Sequence, residues 1–445
     1  MSRYLLLHKA KLLVLADQAM VSGGNFLVGV LLARALGLEG FGIFSLMWVG
    51  VLLALSLHQA FMTQPMMTFA SKFMGRFKNR YRQGVFYIQA LITIVLLLLT
   101  TVVTFIVREN PQWPHWTDYL PHAFLATTFY LLHDFLRKTF FIRKLFIAPL
   151  LMDGALYAVL FGSLLLFDVT IGIALLGYAL GSILGLLIGV IVFVKNPDSV
   201  KGISFNWELK FQKAVKEHYH YSIWLLGTSV LQWFAGNIFL VAAASLLGPV
   251  AVGALRMAQN MVGLSHVLFL AMENIVPAEA ARQFFTYGKK RMNAYLRQMT
   301  LLMSIPFVAI LAMLSTLAPK LISWLYGPEY LPYNYLVSGY AVLYLFVFIG
   351  YPLRYALRSQ AVTSPIFKAY LLSAIVSLAL AFPLVGQFGD VGVIAGLMVS
   401  QFITLGVYVY YLRKKPAKPQ AKEVPLEKAK KVNGEATKLA ASSGT

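Results

Sequence analysis

Apolar runs of about twenty residues or more follow one another from Leu12 to Leu412, separated by short polar stretches. A helix rises 1.5 Å per residue, so runs of this length cross a hydrocarbon core of roughly 30 Å. The pattern predicts an all-α polytopic membrane protein of twelve transmembrane helices, near 12–35, 41–66, 84–107, 119–136, 145–167, 170–194, 219–247, 249–275, 299–318, 331–353, 366–385 and 391–412. The longest internal polar interval, around Lys195 to Glu217, falls between the sixth and seventh runs. It predicts two six-helix lobes, 1–195 and 218–412, joined by a linker at 196–217. Beyond Tyr411 the chain turns to Lys, Pro, Ala, Glu and Ser, and 413–445 reads as a disordered basic tail. The first run is too long and too studded with polar groups for a secretory signal, and no small-residue cleavage pattern follows it.

Composition agrees with that pattern: 59% of the residues are hydrophobic, 12% are charged, and the mean hydropathy is +0.71. The net charge of +21 could suggest a nucleic-acid binder, so its location decides the matter. With the N-terminus in the cytoplasm, 34 of the 38 Lys and Arg fall on the cytoplasmic side, leaving Arg34, Arg108, Arg256 and Lys320 elsewhere. Such asymmetry is the positive-inside signature, so both termini are expected to be cytoplasmic and no nucleic-acid partner is expected. The chain has no cysteine, which excludes disulfides, thiol nucleophiles and zinc thiolates.

The halves echo each other. ALGLEGFGIF (Ala35 to Phe44) aligns with LLGPVAVGAL (Leu246 to Leu255) at an offset of 211, placing Gly37 on Gly248 and Gly42 on Gly253. Pro65 has a near counterpart in Pro277 at an offset of 212. An even number of helices per half leaves both in one orientation, so the repeat is of the parallel type, with a pseudo-twofold along the membrane normal and a central cavity between lobes.

Large polar groups at membrane depth supply the candidate chemistry. In the eighth helix Gln259, His266 and Glu273 recur every seven residues, with Arg256, Asn260 and Gly263 on the same side. The first helix carries Gln18, Ser22, Asn25 and Gly29, with Asp17 at one end and Arg34 at the other; His58, Gln59 and Gln64 follow in the second. A single Asn or Gln can be plain interhelical glue. Ionisable groups at this depth cost at least about 2.5 kcal/mol each and mark transport routes. Arg34 and Arg256 are therefore the candidate anion-binding residues, with Asn25, His58, Gln64, Gln259, Asn260 and His266 lining the cavity; Arg34 could equally snorkel to headgroups. Asp17, Asp153 and Glu273 are candidates for proton or cation coupling. Asp134 and Asp153 could instead pair with Arg137, Lys138, Arg143 or Lys144, and the His218/His220 pair reads as an interfacial feature.

The segment ARALGLEGFGIFSL, with its helix-1 arginine, Leu-Gly pair and glycine-led entry into helix 2, resembles the start of the polysaccharide (O-antigen type) flippases of the MOP superfamily. The resemblance implies two bundles working by alternating access and a polyprenyl-diphosphate-linked glycan as substrate. It also implies a bacterial plasma membrane location, a cationic cavity onto which Arg34 and Arg256 map, and neighbours among the glycosyltransferases and polymerase of a polysaccharide pathway. A monomer with no cofactor or metal is expected. Multidrug exporters of the same superfamily share the two-lobe plan, and the acids keep that alternative open. An integral-membrane glycan-modifying enzyme is the rival from another class. It is disfavoured because the chain has no Asp-x-Asp pair, no large outer loop and no Gly-x-x-x-x-Gly-Lys phosphate loop.

Overall fold

In the computed structural model, described for residues 2–72, 75–195, 212–360, 362 and 364–414, helices are the only regular structure among the described residues. They are α1 (Ser2–His58), a π-helical turn (Gln59–Thr63), α2 (Gln64–Lys72), α3 (Gly75–Glu109), α4 (Leu120–Ile142), α5 (Ile147–Leu166), α6 (Ile171–Lys195), α7 (Gln212–Leu247), α8 (Pro249–Gly263), α9 (His266–Thr316), α10 (Ala318–Leu325), α11 (Tyr335–Ser359) and α12 (Ser364–Arg413). Short 3-10 turns span His115–Tyr119 and Pro328–Tyr333. Eight helical stretches among the described residues are long and apolar enough to cross a membrane, and the protein is a multi-pass membrane protein. Most of the expected 196–217 linker and the tail beyond 414 lie outside the described residues.

Three of the long helices reverse direction at a glycine. Gly37 (φ 69°), Gly288 (φ 81°) and Gly389 (φ 61°) adopt positive φ, which a side chain disfavours. Contacts across each kink show the reversal. Asp17 and Gln59, about equally far from Gly37 in sequence, both reach the same turn of α4, at Arg137 and Asp134. Phe269 and Phe307, placed symmetrically about Gly288, meet with tilted rings, centroids 5.1 Å apart. Ser373 bonds the carbonyl of Ser400 (3.0 Å) across the Gly389 bend.

Two groups of helices result. The two arms of α1 pack with α4, α5 and α6, while α7 pairs with α12, and α11 lies between α9 and α12. A continuous apolar core runs from Val28 to Ile394 through both groups. They meet chiefly where α1 crosses α8. There a Cβ on Gly42 would overlap the carbonyl of Pro249, and a Cβ on Gly253 would overlap the carbonyl of Leu38. The contact is reciprocal, because 42 and 253, like 38 and 249, are 211 residues apart. Gly248 (φ 84°, ψ −179°) also repeats the backbone conformation of Gly37 (φ 69°, ψ −178°).

Backbone packed on backbone leaves no side chain to yield. Gly42→Ala and Gly253→Ala are each expected to destabilise the protein by about 1–3 kcal/mol, as overpacking does. Gly50→Ala, whose Cβ would meet nothing within 4 Å, is the matched control and should be neutral. Thermal unfolding of the three variants in detergent reads the difference; equal melting temperatures would contradict the packing described.

Several helices outrun the expected spans. The pattern placed the end of the fourth span at 136, before the charged pair Arg137–Lys138, but α4 continues to Ile142 because TFFI restores an apolar face. The expected 331–353 span likewise continues to Ser359 and takes in Arg354 and Arg358.

Candidate functional site

Arg256 sits mid-way along α8, beside the phenols of Tyr340 and Tyr344 on α11. Its Nη1 donates to Gln259 Oε1 (2.7 Å), one turn on in the same helix. The other two nitrogens, Nε and Nη2, are buried and have no partner. No carboxylate pairs with it among the described residues. A buried guanidinium normally has its charge matched by an acid, since desolvating an ion costs several kcal/mol. Here two N–H groups on adjacent nitrogens stay unpaired in a setting of low dielectric, the donor arrangement that suits a bidentate grip on an oxyanion.

One turn on, Asn260 bridges the two groups of helices. Its Nδ2 donates to the Phe26 carbonyl (3.2 Å) and to the Tyr326 hydroxyl (3.0 Å), in the space that a side chain on Gly29 would need. Tyr330, just after α10, donates to the Ala33 carbonyl (3.0 Å). Arg34 is exposed, and its Nη1 donates to the Trp324 carbonyl (2.9 Å) in the last turn of α10, where free carbonyls attract a cation. Asn25 accepts from the Tyr157 hydroxyl (2.9 Å). These bonds join α1 to α5, α8 and α10, and none leaves Arg34 or Asn260 as free as Arg256.

The seven-residue stripe expected in the eighth helix is interrupted. Ser265 N–H bonds Val262 O (3.0 Å), an i to i−3 bond, and α8 ends at Gly263 before α9 begins at His266. The tightened turn rotates the residues C-terminal to it. His266 stacks on Tyr344 (5.3 Å), and Glu273 is held by Arg354 (3.1 Å) and Arg358 (2.5 Å) of α11.

A second polar cluster lies inside the first group of helices. Arg137 binds Asp17 through Nη2 (2.6 Å) and Asp153 through Nε (2.7 Å), and His133 Nε2 is 3.7 Å from Asp153. Both aspartates are buried. Asp134 accepts from Gln59 (3.3 Å) instead of from a loop cation, and His58 Nε2 pairs with Gln89 Oε1 (2.7 Å). Gln64 is exposed and opens α2. The sequence offers Arg137 as a partner for Asp153, as found, but places it in the loop after the fourth span and does not link it to Asp17. The apolar residues after Lys138 were the available sign that Arg137 lies within a helix.

Most of the expected candidates fall into three places: Arg256 with Gln259 and His266 along the α8–α9 side of α11, Asn25, Asn260 and Arg34 along α1, and Asp17 with Asp153 around Arg137; His58 with Gln89, Gln64 at the start of α2, and Glu273 with Arg354 and Arg358 lie apart from these. Residues not singled out by sequence join the first two: Tyr340 and Tyr344 lie beside Arg256, and the hydroxyls of Tyr326 and Tyr330 bond Asn260 and the Ala33 carbonyl.

The profile described as "Polysaccharide biosynthesis protein" matches residues 12–280. No curated protein matches by sequence. Among solved structures, the lipid II flippase MurJ in its inward closed conformation is similar with TM-score 0.69 and 14% identity, over 91% of this chain and 88% of that one. An inward-facing multidrug resistance MATE family transporter of the MOP superfamily gives 0.64 and 14%, over 90% and 96%. The eukaryotic MATE transporter AtDTX14 gives 0.61 and 13%, over 92% and 97%. At these identities the likeness speaks for the fold. By its matched profile and its helical arrangement, the chain belongs to the polysaccharide biosynthesis protein family and has the fold of the MOP superfamily.

Proposed function

We propose that the protein carries a polyprenyl-diphosphate-linked oligosaccharide from the cytoplasmic to the outer leaflet of a bacterial plasma membrane by alternating access. The observation that carries this reading is Arg256, a buried guanidinium with two unpartnered nitrogens and no paired acid among the described residues. A diphosphate offers the oxyanions that such a group lacks. Gln259 orients it, while Asn260 and Arg34 act at the junction of the two halves.

In this reading the hairpins at Gly37, Gly288 and Gly389 make twelve crossings in two six-helix lobes, 1–195 and 218–412, with both termini cytoplasmic. The reciprocal Gly42/Gly253 contact and the shared geometry of Gly37 and Gly248 support a parallel pseudo-twofold. The bonds from Asn260 and Tyr330 to α1 then close the outer side, and substrate passes when they part.

A second reading, an ion-coupled exporter of small molecules, draws on Asp17, Asp153 and Glu273. Each of these carboxylates is already matched by a guanidinium, from Arg137, Arg354 or Arg358, which favours a structural role. Deleting the gene tests the choice. The flippase reading expects loss of surface polysaccharide with build-up of its lipid-linked precursor, restored by the intact chain. Normal surface glycan together with raised drug sensitivity would favour the exporter.

A further inference from the structure

The carbonyl of Phe61 lacks its α-helical donor, because the residue four positions on is Pro65, which has no N–H. Around it the chain winds one π turn, Gln59–Thr63, closed by Gln64 N–H on the Gln59 carbonyl. Such turns in a helix often mark functional positions. From α7, His218 Nε2 reaches the Phe61 carbonyl (2.7 Å), and Ser222 Oγ lies 3.0 Å from it, sharing its single proton between that carbonyl and the His218 carbonyl one turn back (2.7 Å). A carbonyl only accepts, so His218 carries its proton on Nε2, and Nδ1 accepts from the Tyr81 hydroxyl of α3 (2.9 Å). His218 is 2% exposed and Ser222 is 0% exposed, so what reads in sequence as an interfacial histidine pair puts one member, His218, in a buried contact and leaves His220 outside. Phe61 meets the His218 ring edge-on (5.9 Å), and Phe69 meets Tyr221 in the same way (5.5 Å). On its other side the same turn is tied inward, where Gln59 Nε2 donates to Asp134 Oδ2 (3.3 Å).

We propose that this π turn is a latch between the two halves at the cytoplasmic face: His218 and Ser222 hold the Phe61 carbonyl while that face is shut and release it when it opens. The inference rests on the alternating-access reading above. Pro65 makes the contact releasable, since the Phe61 carbonyl can pass from α7 to water without competing for an α-helical bond. Gln59 links the turn to the buried carboxylates, so movement of the latch reaches Asp134.

The chain has no cysteine, so introduced thiols report cleanly. Phe69→Cys is a buried reporter facing His218 and Tyr221. In inverted membrane vesicles, adding His218→Ala with Ser222→Ala should raise its labelling by an impermeant maleimide roughly tenfold, the effect of losing the hydrogen bonding to the Phe61 carbonyl. His218→Gln, which keeps an N–H donor, should raise it less. Unchanged labelling in the double variant would overturn the latch, whatever the substrate proves to be.

A second experiment leaves His218 and Ser222 intact. Phe69→Cys with Tyr221→Cys, joined by a short bifunctional thiosulfonate, should stop surface-glycan export, and reduction should restore it. Full export by the cross-linked protein would also overturn the latch. If gene deletion leaves export unaffected, the flippase reading fails while the labelling result stands.

Discussion

Arg137→Met is expected to strip the protein from the membrane. Asp17 and Asp153 are both buried, and Arg137 reaches each at 2.7 Å or less. Removing one member of a buried ion cluster leaves uncompensated charge and costs about 3–5 kcal/mol. That is a large part of the roughly 5–15 kcal/mol that holds a folded protein together. Here two carboxylates lose their shared partner, so the cost falls at the upper end. Replacing all three charges, as Asp17→Asn, Arg137→Met and Asp153→Asn, should recover much of the stability, because a neutral group of similar volume is tolerated where a lone charge is not. Membrane abundance and thermal stability in detergent read both effects. Arg137→Met protein as abundant and as stable as the unaltered chain would contradict the cluster; a triple variant no better than Arg137→Met alone would show that charge balance is not its role.

How far the sequence reaches can be judged from particular residues. The apolar runs place nearly every helix, because a membrane span needs length and hydropathy and both are local properties. The glycine turn is readable too: ALGLEGFGIF and LLGPVAVGAL align at positions where the backbone takes the same positive φ and where the two glycines touch in reciprocal fashion. Boundaries are harder. Charges at 137, 354 and 358 read as loop residues; Asp153 is near enough in sequence to be offered as a partner of Arg137, whereas Asp17 and Glu273 lie far from the arginines they bind. The α8–α9 junction defeats a seven-residue count because one tight turn at Val262–Ser265 shifts the register. The role of His218 could not be read from its neighbours; its partner is a backbone carbonyl 157 residues away, exposed by a proline whose effect is local and whose consequence is not.

The second large effect concerns Arg256. Alanine removes both hydrogen bonds to the proposed diphosphate. With charged hydrogen bonds worth about 1.5–3 kcal/mol each, transport should fall by roughly a hundredfold or more. Lysine keeps the charge but loses the planar fork and should fall between the two. Arg34→Ala should be milder, because that exposed side chain caps the end of α10 and is not held in a buried pocket. Glu273→Gln should not rescue Arg256→Ala, since Glu273 is bound by Arg354 and Arg358.

The most direct measurement is translocation by the purified protein in liposomes, with a polyprenyl-diphosphate-linked oligosaccharide loaded in one leaflet and its arrival in the other followed over time. The unaltered chain should move it well above the protein-free rate, Arg256→Lys more slowly, and Arg256→Ala close to background. A chain that moves no diphosphate-linked glycan, or an Arg256→Ala variant as fast as the unaltered protein, would contradict the account.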